Sequence, residues 1–125
     1  MTVRAHTNAV IAALETIGPP VGDAKAPDAD PPYYVVYPLP GQFDGNLADP
    51  DEDVMLVYQV TCVGRSREQA EGLADAARAV MAALTVTGRN IQRVIPDTAG
   101  GTLRDDDDQP PVFTVPDRYT VWSTP

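Results

Sequence analysis

The sequence predicts an α+β fold: an about four-stranded, mainly antiparallel sheet flanked by two helices and carrying long acidic loops. Three observations lead there. Segments rich in Val, Ile, Tyr and Thr are separated by two segments of helical period. The order is helix, two strands, helix, two strands, which places helices against an antiparallel sheet rather than between parallel strands. A strand, a tight turn and a helix follow one another directly between Asp53 and Leu84. With 125 residues, 43% of them hydrophobic, the chain suits a single domain, 1–125, with one core.

Thr2–Ile17 is the first expected helix. Val3, Val10, Ile11, Leu14 and Ile17 form its apolar face, and Gly18 with Pro19-Pro20 ends it. His6 falls off that face and is expected at the surface. Val21–Pro32 reads as a polar, exposed connector. Tyr33–Tyr37 is a strand, closed by Pro38 and Pro40, and these prolines suggest a sheet edge because proline donates no ladder hydrogen bond. Leu39–Glu52 is then a long acidic excursion.

Val54–Val63 is the central strand. Leu56, Tyr58, Val60 and Cys62 share one face; Met55, Val57, Gln59, Thr61 and Val63 share the other, wetter one. Cys62 is expected to be a buried core thiol. Gly64-Arg65 breaks the strand, and Ser66-Arg67-Glu68-Gln69 reads as a capping box. Ala70, Leu73, Ala74, Ala77, Val80, Met81 and Leu84 then form one helical stripe. Glu68, Glu71, Asp75 and Arg78 lie off it and face water. Gly72 marks either an exposed site or a close approach. Thr85–Asn90 turns through Gly88, Ile91–Ile95 is the third strand, and Asp97–Pro111 is the second long loop. Val112–Trp122 is the last strand, with a bulge or bend expected at Pro116-Asp117.

Charge and motifs narrow the function. The net charge is −9, and the basic footprint that captures nucleic acid is missing. No apolar run is long enough to span a membrane, the N-terminus lacks a signal-peptide pattern, and one cysteine allows no internal disulfide. A cytosolic site of synthesis follows. One histidine and one cysteine, far apart, make neither a zinc signature nor a catalytic triad, and phosphate-binding glycine loops are absent. Asp105–Asp108 and Asp44–Asp53 offer oxygen ligands, but neither has calcium-loop spacing, and no metal or other cofactor is expected. The pattern favours assembly or binding over catalysis.

The element order resembles the tail terminator (tail completion) proteins of long-tailed bacteriophages. The resemblance rests on a helix ending at Ile17-Gly18, on Tyr33–Tyr37 and on the strand Asp53–Val63. It continues through Gly64-Arg65-Ser66-Arg67 into Glu68–Leu84, with Leu73-Ala74-Asp75-Ala76-Ala77-Arg78, and a last strand containing Asp117-Arg118-Tyr119. It spans nearly the whole chain as a pattern. It implies a structural, non-enzymatic virion protein, made in the host bacterial cytoplasm and located at the tail neck. It implies a hexameric ring that caps the tail tube, stops tube polymerisation and meets the head–tail connector, with DNA passing through the lumen unread. The alternatives are a head-closure or connector neck protein, or a small metal-dependent enzyme. In a ring, the two acidic loops are expected to make or border assembly surfaces through Asp44, Asp49 and Asp51 and through Asp105, Asp106, Asp107 and Asp108. Arg65, Arg67, Arg104 and Arg118, together with Arg89 and Arg93, are their expected cationic partners.

Overall fold

The computed structural model describes residues 2–44, 53–98, 101–106 and 110–125. The elements run α1 (Thr2–Glu15), β1 (Val21–Asp23), β2 (Tyr33–Asp44), β3 (Asp53–Gly64), α2 (Arg67–Ala82), β4 (Asn90–Thr98), β5 (Leu103–Asp105) and β6 (Val112–Thr124). They form an α+β fold with one six-stranded sheet in the order β1-β2-β3-β6-β4, and β5 also pairs with β6. Only the β1–β2 pair is parallel. Both helices lie on one face. From α1, Thr7 reaches the Tyr58 hydroxyl (3.1 Å), and Tyr34 donates from the same face to the Leu73 carbonyl of α2 (2.8 Å).

Six strands replace the four expected, because two of the supposed loops each contain a short paired strand. The connector 21–32 contains β1. The excursion 39–52 is strand up to Asp44, with the residues after it outside the described ones. The loop 97–111 contains β5, so β4 and β5 together make one interrupted edge along β6.

Proline explains the underestimate. Tyr34 N–H donates outward to Pro20, and Val36 C=O accepts from Ala24 N–H, so even-numbered residues of β2 point away from β3. Pro38 and Pro40 continue that series, and neither removes a bond to β3. The strand therefore passes through both prolines, bulging between Leu39 and Gln42. Gly41 sits in that bulge because a Cβ there would collide with the Met55 carbonyl. No bulge occurs at Pro116, which stays in register opposite Thr61. By the same alternation its nitrogen points toward the far side of β6, where β4 pairs only from Arg118 onward and β5 only up to Thr114. The irregularities lie in β4 instead, between Ile91 and Arg93 and between Pro96 and Thr98.

The core is the α2 stripe on the even-numbered face of β3. Ala70, Leu73, Ala74, Ala77, Met81 and Leu84 are buried, with Val80 at the margin. Against them lie Leu56, Tyr58, Val60 and Cys62, and Cys62 is fully buried as expected. Ser66 caps α2 by accepting from Gln69 N–H (3.1 Å), while the Gln69 side chain accepts from Arg65 N–H (2.7 Å), one residue before the usual partner in a capping box.

The buried face of α1 is rotated from the expected one. Val10 and Leu14 are buried, but Val3 is 38% exposed, and His6 and Thr7 take the inward positions. Polar partners on the sheet draw them in. α1 ends at Glu15, just before Gly18, whose φ of +127° suits only glycine without strain.

Two stability predictions follow from this packing. Leu73→Ala should lower the unfolding free energy by roughly 2–5 kcal/mol, since it empties a buried site between helix and sheet; a melting temperature within a degree or two of the parent would show that α2 is not docked. Gly72 is exposed, and a Cβ there meets nothing within 4 Å. Gly72→Ala should therefore raise stability by about 0.5–1 kcal/mol in urea titrations.

Candidate interaction surface

Two polar clusters lie between the helices and the sheet. In the first, His6 Nε2 is 2.8 Å from Ser123 Oγ, and Arg89 donates to the same oxygen (3.1 Å) and to the Ser123 carbonyl (3.3 Å). His6 is wholly buried, which corrects the expected surface position, and Ser123 is 1% exposed. The enclosed serine–histidine contact joins α1 to β6. Arg89 is committed to this contact rather than to a surface.

In the second cluster, Arg78 reaches back from α2 to Asp117 on β6, with Nε at 3.1 Å and Nη2 at 2.9 Å from the same carboxylate oxygen. Arg78 is 40% exposed and Asp117 1%, so Arg78 is a bridge to the interior, not simply a water-facing residue. Cys62 and Tyr119 lie close enough to feel both charges. The Tyr119 hydroxyl is buried without a hydrogen bond of good geometry. Outside this cluster, the groove over α2 is lined by Arg67, Glu71, Asp75, Arg78 and Thr102. Arg67 pairs with Glu71 (2.8 Å), which also accepts from Thr102 (3.0 Å). Each guanidinium there already faces a carboxylate, leaving little field to draw in an anion. Among the described residues, no three His, Cys, Asp or Glu side chains converge as metal ligands would.

Among the described residues, the opposite face of the sheet carries no helix. It is made by the other parity: Tyr33, Val35, Tyr37 and Leu39 from β2, then Met55 to Val63 from β3. Thr114, Pro116, Arg118, Thr120 and Trp122 follow from β6, with Arg93 and Ile95 from β4. A half-solvated antiparallel sheet is normally polar on its outer face. Here Leu39, Met55, Val57 and Ile95 are only half-buried, and Trp122 is 38% exposed with Arg93 stacked over it at 5.5 Å. Among the side chains described on this face, the cations are the exposed Arg118, midway along β6, and Arg93, on the edge strand β4 beside Trp122, and the carboxylates are at its ends, at Asp53 and Asp105. The outward apolar parity of β3 was a usable sequence signal; Trp122, Arg93 and Ile95 could not be assigned to the same surface until β6 was known to lie between β3 and β4.

The sequence-predicted interaction residues are dispersed. Asp44 closes β2 opposite Asp53, at the end of the sheet where β6 finishes. Asp105 and Asp106 lie at the other end, where β6 begins, so the two acidic segments leave opposite ends of the sheet. Asp49, Asp51, Asp107 and Asp108 lie outside the described residues. Arg104 pairs with Asp106 and stacks over Phe113 (5.7 Å). Arg65, at the turn into α2, approaches Asp30 at 3.9 Å. Arg118 and Arg93 are the expected cations that stand on the open face.

Burial sets a pH dependence. Loss of solvation, then the Asp117 charge, push the Cys62 thiol from its ordinary 9.0 up to about 12. Desolvation likewise raises Tyr34, Tyr58 and Tyr119. The unfolded chain then releases protons above pH 9 that the folded chain keeps, so stability present below pH 9 is lost as pH rises through 9–12. Urea midpoints should fall steeply above about pH 9, and Cys62→Ala should remove the first part of that fall. A midpoint unchanged to pH 11 would contradict the buried thiol and phenols. No family model matches the chain, and no curated protein matches it.

Proposed function

We propose that this chain is a structural protein of a bacteriophage virion, a tail terminator that caps the tail tube, ends its polymerisation and joins it to the head connector. The observation that carries the reading is the face of the sheet away from the helices, where Trp122 is 38% exposed and Leu39, Met55, Val57 and Ile95 keep partial exposure, although Val35, Val63 and Thr120 on the same face are buried. A two-layer α+β subunit with helices on one side has no use for Trp122, Ile95, Met55 and Leu39 on the other unless another surface covers them. The order of elements, which resembles that family, supports the same role. So does the clustering of carboxylates at the two ends of the sheet in a chain of net charge −9, since an acidic wall repels the phosphates of passing DNA. The proposed partners are further copies in a hexameric ring, the tail tube protein and the connector.

The test uses the tube protein encoded beside this chain. Added to polymerising tubes, the purified protein should shorten them in proportion to its amount and appear in electron micrographs as a ring at one tube end. Tubes of undiminished length with bare ends would rule out the role.

A further inference from the structure

We propose that the open sheet face is the socket for a second copy of this chain, and that its occupant is the neighbour's β5. In this contact Leu103 seats against the apolar band beside Trp122, and Asp105 faces Arg118. The inference rests on the ring reading and names the contact that would build the ring.

The argument begins with β5 itself. All three of its residues are exposed, and Leu103, at 59%, is the most exposed large hydrophobic side chain among the described residues. Arg104 pairs with Asp106 within the segment, so what β5 offers on one face is Leu103 and Asp105, an apolar side chain and a carboxylate, the complement of a face bearing Trp122 and Arg118. The contact cannot be made within one chain. Leu103 is paired with Thr114, eight residues before Trp122 on β6 (122 − 114), a separation of roughly 27 Å along an extended strand.

Charge also selects the geometry. Two open faces packed on each other would set Arg93 and Arg118 of one copy against those of the other. The β5 end set on the face instead pairs aspartate with arginine. Different patches then meet, so the contact is head to tail, and such contacts propagate into closed rings when the rotation closes. Aromatic and arginine side chains at the centre of the socket are the types that dominate binding at interfaces.

Light scattering on the full chain and three variants tests this. Leu103→Asp and Arg118→Glu change exposed positions and should leave the far-ultraviolet circular dichroism spectrum of the folded chain unaltered. The parent should show a mass that is a multiple of 13.4 kDa, and each variant alone should be monomeric. Mixed, the two should form a one-to-one pair that grows no further, because one retains its socket and the other its β5. Arg118→Glu combined with Asp105→Arg in one chain should restore the parent mass, which misfolding cannot imitate. A monomeric parent at sub-millimolar concentration, or variants that keep the parent mass, would overturn the inference. In the latter case a ring seen in micrographs would still support the tail-terminator reading. A strict dimer that both variants break and the charge exchange restores would keep the β5 contact and remove the ring.

Discussion

The hydrogen-bond ladder centred on β3 is the constraint to which the rest of the structure conforms. β3 is paired along its whole length, to β2 on one side and β6 on the other. Proline has no donor to contribute, so each proline within a strand must turn its nitrogen away from a partner. Pro38 and Pro40 do so on the outer side of β2. Pro96 does so on β4, since it faces Tyr119, whose own polar groups serve β3. Pro116 does so at the break between β4 and β5. Because the ladder stays intact, the even parity of β3 is held as one continuous surface, and the alanines of α2 let that helix lie close upon it.

What sequence reasoning recovered follows from how local each signal is. The α2 stripe and its Ser66 cap are set by spacing within one helix, and the two faces of β3 by simple alternation, and both hold in the structure. Strand ends at Pro38 and at Ile95 were misplaced because proline stops a strand only when its nitrogen faces a partner, and partners are not visible locally. β1 and β5 are three residues each, too short for any periodic signal; they exist because β2 and β6 offer them an edge. His6 was assigned to the surface because a polar side chain on a helix ordinarily faces water. Ser123, 117 residues later, changes that balance. The candidate surface was half legible: the acidic segments were visible as runs, but their placement at opposite ends of the sheet is a property of topology.

The charge distribution follows the architecture. Several arginines are spent locally: Arg78 ties α2 to Asp117 on β6, Arg89 ties the turn before β4 to Ser123, and Arg67 pairs with Glu71 within α2. Arg93 and Arg118 are left on the face that no described helix covers. Among the described residues of that face the carboxylates, Asp53 and Asp105, are at its ends. An acidic chain therefore keeps one face on which the described cations stand apart from the carboxylates.

The prolines that the ladder pushes outward have a further effect. Along the outer rim of β2 beyond β1, two successive amide donors are missing, and the rim of β4 lacks one at Pro96. A strand from another molecule would find acceptors without donors at those places, so the sheet is a poor template for indefinite extension into fibrils. In the proposed role, beside a growing polymer and among its own copies, the chain gains from being unable to become a polymer by that route itself.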